Sequence, residues 1–348
     1  MTTTPPAPPS SDVAAATAIV RLNTAYTAAR TLHSAVELGL FEVLAEAPAT
    51  LPRIRERLGL HPRMAADFLD ALVGLGLLLR DGEGAYSNAP ATARLLVPGT
   101  PEYIGGTVAK SARHHYTMWG SLTEALRDGR PKSAGLADKG AMARLYNDAA
   151  ATREFMGHMD AHNGFCGREV ARCVDWGRHR AFIDVGGARG NVAAQIVGRH
   201  PHLRGGVFDL PALRPHFEEH VAGLGVADRV DFHPGDFFTD DLPETDVVVI
   251  GHVLHDWPVE VRQMVIDKAF RATRPGGCLV VYDQMIDEER TDPHPLLTSL
   301  NVRLVREGGS EYTVAEIRDW AEKAGYRVAY SVRVNTIGDD TVFVAARD

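Results

Sequence analysis

Apolar and polar positions along this chain change period near Asp175. Before that point apolar residues recur at three- and four-residue spacings, as on a helix with one buried stripe. From Val13 to Ala47 the stripe runs Ile19, Leu22, Tyr26, Ala29 and His33, continues through Ala35–Leu44, and is stopped by Pro48. A short helix over Leu51–Leu58, a turn at Gly59–Pro62, a longer helix over Arg63–Leu77 and a hairpin over Leu78–Tyr86 are predicted next. Gly105–Phe165 is again helical and rich in rings and thioethers. Beyond Asp175, short apolar runs alternate with helical segments. The runs predict strands at Ala181–Val185, Arg204–Phe208, Arg229–Phe232, Asp246–Ile250, Cys278–Tyr282, Tyr326–Val332 and Thr341–Ala346. Strand–helix alternation is the pattern of a doubly wound, mainly parallel sheet. The last two runs are joined only by Arg333–Asp340, which permits an antiparallel pairing at that edge.

The predicted organisation is a tail over residues 1–12, a helical domain over 13–104 and an α/β domain over 105–348, helical over 105–165. Helix, turn, helix and hairpin make a winged-helix pattern, which in other proteins reads DNA. Here the would-be recognition helix carries Arg63 against Asp67 and Asp70, the net charge is −8, and the basic residues are dispersed among acids. Such a helix repels phosphate, so a packing or dimerisation role is expected, with no nucleic-acid or anionic-membrane partner. Met1–Asp12, rich in Thr, Pro and Ser, reads as a disordered tail and not a signal peptide. No apolar run approaches the roughly 18 residues of a membrane span. Cys166, Cys173 and Cys278 lack metal-ligand spacing and fit buried free thiols in the reducing cytoplasm.

Four signals in the second half carry chemistry. The first is Phe182-Ile-Asp-Val-Gly-Gly-Ala-Arg-Gly-Asn191, an apolar run ending in an acid and a glycine cluster ahead of a helix over Val192–Val197. Strand, tight turn and helix is how an open α/β sheet receives a nucleotide-like ligand. Ala188 breaks the G-x-G-x-x-G fingerprint in every frame, so a pyrophosphate is poorly served. The second is Asp209, about twenty residues on, which either accepts the hydroxyls of a ribose or caps the helix that follows. Third, Gly235-Asp-Phe-Phe238 follows the third strand, where Asp236 can meet an exocyclic amine and Phe237 can pack on an adenine. Fourth, the strand Val247–Ile250 runs into Gly251-His-Val-Leu-His-Asp-Trp-Pro258, placing His255 at the working end of a parallel strand.

Together these stretches resemble the S-adenosylmethionine-dependent small-molecule O-methyltransferases of the caffeate and acetylserotonin type, including bacterial natural-product members. The likeness extends to Arg274-Pro-Gly-Gly277 and Gly308-Gly-Ser-Glu-Tyr-Thr313 and covers nearly the whole chain. It implies a Rossmann-like seven-stranded methyltransferase domain and an α-helical, winged-helix-like N-terminal dimerisation domain, hence a homodimer. By the same resemblance Asp184, Gly186, Gly187 and Gly190 hold the methionine end of S-adenosylmethionine, Asp209 with Leu210 its ribose, and Asp236 and Phe237 its adenine. His255 takes the place of the family's general base, flanked by Asp283 and Glu311. Two positions depart: Ala188 stands for the usual third glycine, and Gly251 for a lysine that many plant members carry.

The chemistry agrees. Transfer from a sulfonium is an in-line displacement on an activated methyl, so holding nucleophile and methyl together supplies much of the rate. A phenol near pKa 10 gains from an imidazole base oriented by a carboxylate, and no metal is needed. The acceptor is expected to be a small aromatic compound, with Met118, Trp119, Phe155, Met159, His162 and Asn301 as pocket candidates; a plain helical core is the alternative for the same residues. His255 does not discriminate oxygen from nitrogen or carbon acceptors. A nicotinamide-dependent oxidoreductase is disfavoured by the broken glycine pattern, and a ligand-sensing regulator by the acidic helix.

Overall fold

In the computed structural model, which describes residues 11–133 and 135–348, the chain divides between Ala112 and Arg113 into two units. Residues 1–10 of the expected tail lie outside the described residues, and Ser11 and Asp12 already belong to the first helix. The expected helix over Val13–Ala47 is in fact two, α1 (Ser11–Glu37) and α2 (Leu40–Glu46). They part at Gly39, whose φ of 69° is left-handed and free of a Cβ penalty. Strand β1 (Ala49–Thr50), which the sequence pattern did not predict, leads into α3 (Leu51–Leu58). Helix α4 (Pro62–Gly74) starts one residue before and stops three residues short of its expected bounds. Proline suits its first turn, and at its end Gly76 N and Leu77 N turn back to the Val73 and Leu72 carbonyls.

Strands β2 (Leu78–Arg80) and β3 (Ala85–Asn88) form the expected hairpin, and β1 pairs with β3. Asp70 of α4 accepts from Arg80 at 2.6 Å and from the Tyr86 hydroxyl at 2.8 Å, so this acid ties the helix to the wing. Helices α5 (Pro90–Leu95) and α6 (Gly105–Lys110) complete the unit. Its core is Leu40, Phe41, Ile54, Leu69, Leu72 and Leu78. On α1 the periodic stripe is mostly uncovered: Ile19, Leu22 and Tyr26 are 69%, 78% and 58% exposed.

The second unit opens with α7 (Tyr116–Trp119), α8 (Leu122–Asp128), α9 (Ala141–Tyr146) and α10 (Ala149–Cys173). Asp148 starts α10 by accepting from the N–H groups of Ala150 and Ala151. Seven strands follow: β4 (Ala181–Val185), β5 (Arg204–Asp209), β6 (Val230–Pro234), β7 (Thr245–Gly251), β8 (Thr273–Asp283), β9 (Arg327–Arg333) and β10 (Thr341–Ala346). They are ordered β6-β5-β4-β7-β8-β10-β9, with β10 antiparallel to both neighbours and the rest parallel. Helices α11 (Asn191–Arg199), α12 (Arg214–Gly223), α13 (Val259–Ala272), α14 (Pro293–Val305) and α15 (Val314–Ala324) lie between strands.

Alternation along the strands explains why the sheet is covered on both faces. Phe182, Val247, Val249, Val280 and Val342 belong to one apolar core, while Ile183, Val248, Ile250, Val281 and Phe343 belong to another. Asp184 is level with Val207 and Val249, so β4, β5 and β7 end together. Asp283 at the end of β8 lies one residue beyond the partner of Gly251. No helix among the described residues is long and apolar enough to cross a membrane.

Candidate active site

After β4 the chain turns through Gly186, Ala188 and Gly190, with φ of 71°, 50° and 82°, into α11. A Cβ on Gly186 would lie 2.6 Å from Val253, and one on Gly187 2.6 Å from Asp184 Oδ2. Ala188 carries its side chain in a left-handed conformation, and its N–H donates to Asp209 Oδ2 at 2.9 Å. Leu210 N–H donates to Asp209 Oδ1 at 2.7 Å, so Asp209 links the two loops and does more than cap a helix. Burial raises the Asp209 carboxyl to about 6 against the pull of those N–H groups. Burial, with the charge of Asp209, pushes Asp184 to about 8. Among the described residues Asp184 Oδ2 has no hydrogen-bond partner. A buried carboxylate oxygen without a donor is costly, and a cationic ligand relieves it. Further along the strand ends, Asp236 Oδ1 accepts from Phe238 N–H, and the Phe237 ring lies 4.8 Å from Phe238 and 5.9 Å from Trp257.

At the end of β7, Gly251 has no room for a side chain because a Cβ would fall inside the Tyr282 ring. The lysine that many plant members carry at this place is thus sterically barred here. His255 sits in the turn Leu254–Asp256 with Nδ1 2.8 Å from Glu311 Oε1 and 3.2 Å from Asp283 Oδ1. Nδ1 offers one hydrogen. It goes to Glu311, and Asp283 Oδ1, with no hydrogen-bond partner among the described residues, acts by charge. Both acids are themselves placed: Tyr312 hydroxyl donates to Asp283 Oδ2 at 2.6 Å, and Glu311 N–H donates to Ser299 Oγ at 3.1 Å. Buried Arg262 donates to the Trp257 and Ser310 carbonyls at 2.6 and 2.7 Å, and Ser310 N–H donates to His255 O. These bonds clamp the His255 turn to the segment that carries Glu311. Burial pulls the His255 pKa down, but the charges of Glu311 and Asp283 outweigh it and raise it well above 6.5. Nε2 is left on the other side of the ring, 3.9 Å from Asp256, whose other oxygen is held by Arg306 at 2.9 Å.

The structure brings some helical candidates toward this centre. His162 of α10 stands edge-on to His252 with ring centroids 6.1 Å apart. Trp119 Nε1 donates to Asn301 Oδ1 at 2.9 Å, joining α7 to α14. Phe155 packs against Tyr146 and His158, Met118 is buried, and Met159 is half-buried. His114, in the same ring-rich stretch, is exposed and pairs with Glu154. Sequence reasoning missed His252 and Asp340, whose Nε2 and Oδ1 lie 2.8 Å apart, and also Tyr312 and Arg262. The triad His255–Asp283–Glu311 and the cluster Cys166–His252–Asp340 each gather one polar side-chain atom per residue within 4.8 Å of one another.

With this geometry in place, a model of the O-methyltransferase domain matches residues 119–327, and a model of the O-methyltransferase dimerisation domain matches residues 20–98. The chain belongs to the O-methyltransferase family. It is 46% identical, over 100% of both chains, to the N,N-dimethyltransferase OxyT of Streptomyces rimosus. It is 44% identical to the tetracenomycin polyketide synthesis 8-O-methyl transferase TcmO of Streptomyces glaucescens, covering 94% of this chain and 96% of that one. The structure is similar to human N-acetylserotonin methyltransferase in complex with S-adenosylmethionine, with a TM-score of 0.88, 26% identity, and 96% and 97% of the two chains covered. As an O-methyltransferase family member, the chain is an S-adenosylmethionine-dependent methyltransferase with a dimerisation domain. The orphaned Asp184 oxygen and the buried Asp209 carboxyl have the chemistry to meet that cofactor's ammonium and hydroxyls.

Proposed function

We propose that this enzyme methylates a phenolic hydroxyl on a small aromatic acceptor of polyketide type in natural-product biosynthesis, with His255 as general base. The observation that carries the reading is the imidazole fixed at Nδ1 by Glu311 and Asp283, with Nε2 left to take a proton. The 44% identity to a polyketide 8-O-methyltransferase supports the acceptor class. Bound S-adenosylmethionine supplies an activated methyl group. Asp184 would take its ammonium, Gly186, Gly187 and Gly190 let the backbone approach it, Asp209 and Leu210 serve the ribose, and Asp236 and Phe237 the adenine. His255 would take the hydroxyl proton at Nε2, and the two carboxylates would stabilise the resulting imidazolium. Met118, Trp119, Phe155, Met159, His162 and Asn301 supply the acceptor side.

The 46% relative that is an N,N-dimethyltransferase favours a second reading, a nitrogen acceptor, in which the same Nε2 deprotonates an ammonium before transfer. Two copies associate through the first unit, where the exposed stripe of α1 gains cover. The reading places the enzyme in the cytoplasm, where its three free thiols stay reduced. The test is incubation with labelled S-adenosylmethionine and a panel of phenols, aromatic amines and indoles, read by mass spectrometry. On the acceptor found, His255→Ala is expected to lose about a hundredfold or more in turnover while still binding S-adenosylhomocysteine. Near-normal turnover sinks the base assignment.

A further inference from the structure

Three residues before the base lies a second histidine that the reaction above does not use. His252 has φ of 51°, a left-handed backbone that few side chains adopt. Its Nε2 pairs with Asp340 Oδ1 at 2.8 Å, and the two side chains are 7% and 0% exposed. Asp340 is held on every side. Its other oxygen accepts from Cys166 Sγ at 3.2 Å and from Thr336 Oγ1, and its N–H donates to Thr336 Oγ1. The His252 ring lies parallel to the His255 ring, within 3° and with centroids 6.0 Å apart. On its other sides it meets Tyr282 at 5.2 Å and His162 of α10 at 6.1 Å, so it stands between the base and a helix of the acceptor side.

Backbone strain with a buried, over-determined carboxylate is how a fold holds a side chain in one working position. Here the same device occurs twice. Each imidazole is anchored at one nitrogen on a buried acid, Nδ1 for His255 and Nε2 for His252, which leaves one ring nitrogen of each outside its anchoring bond. Parallel rings with one nitrogen apiece suit a ligand with two oxygens on one aromatic edge.

We propose that His252, positioned by Asp340, binds the acceptor oxygen adjacent to the one that is methylated, so that the enzyme selects aromatic acceptors with neighbouring oxygens over those with one. This rests on His255 being the base and deepens that reading. The ammonium-type demand of an amine acceptor gives His252 no such task.

Catechol and phenol are the matched probes. The wild type is expected to favour catechol about tenfold or more, as for a site built to hydrogen-bond a group that the analogue lacks. The ratio is read in kcat/KM or, where turnover is slow, in acceptor Kd with S-adenosylhomocysteine bound. His252→Asn keeps a residue that tolerates the left-handed backbone and is expected to bring the ratio near unity. Asp340→Asn, which frees the ring from its anchor, moves it the same way. No preference in the wild type, or a preference intact in both variants, overturns the proposal. So does a loss of S-adenosylhomocysteine affinity with the catechol preference unchanged, which would assign His252 to the cofactor. His255→Asn separates the two readings: turnover that persists refutes the base, whereas the catechol-to-phenol binding ratio reports on His252 alone.

Discussion

Glu311→Gln probes the base with little change in shape. His255 must be neutral at Nε2 to accept a proton. Its pKa is raised above 6.5, so the acid limb of kcat/KM lies above the ordinary imidazole range and activity is gained as pH rises through it. Glu311 Oε1 stands 2.8 Å from Nδ1, and a glutamine carbonyl there still accepts the Nδ1 hydrogen but carries no charge. A hydrogen bond to a charged group contributes about 1.5–3 kcal/mol and a neutral one about 0.5–1.5. The difference, about 1–1.5 kcal/mol, corresponds to about one pH unit. Asp283, 3.2 Å from Nδ1, remains, so the site keeps one counter-charge. The expected result is an acid limb displaced downward by about one unit and a plateau lowered several-fold by the weaker base. The assay is kcat/KM against pH with methyl-labelled cofactor and the acceptor found in the panel. A limb that stays in place or moves upward refutes the account of His255 as a base tuned by its carboxylates.

Other outcomes follow from the same geometry. Asp184, pushed up to about 8 by burial, must ionise to take the ammonium proposed for it, so S-adenosylhomocysteine is expected to bind more tightly as pH rises from about 6 to about 8, with proton release; calorimetry in buffers of different ionisation enthalpy checks this, and Asp184→Asn should flatten the dependence. Arg262→Leu leaves the buried Trp257 carbonyl and the half-buried Ser310 carbonyl without this donor, at about 1–3 kcal/mol for the buried one; thermal melts should show the loss, and kcat should fall with it. Leu22→Glu together with Tyr26→Glu charges the exposed stripe of α1 and is expected to shift sedimentation from dimer to monomer without unfolding either unit.

Legibility in the sequence followed the range of the interactions. Every strand of the large sheet was predicted to within a few residues, because each is a short apolar run bounded by turn residues. The largest error was β8, which begins at Thr273 instead of Cys278 and so takes in Arg274-Pro-Gly-Gly277. The break at Gly39 was missed because apolar spacing runs through it unaltered, and only the left-handed φ marks it. Asp184, Asp209 and His255 stand at strand ends, where position alone argues for a role. Asp283 and Glu311 became visible only through family resemblance: Glu311 lies 56 residues from His255, and no local pattern links them. His252 and Asp340 are 88 residues apart, and the sheet joins them by carrying β10 back beside β8. The antiparallel return of β10 sets Thr341 opposite Asp283, so the loop before it delivers Asp340 to the end of β8, beside His252. The reversed strand therefore has a chemical consequence. A purely parallel edge would bring the other end of that strand here, and His252 would have no buried acid to hold it against its strained backbone.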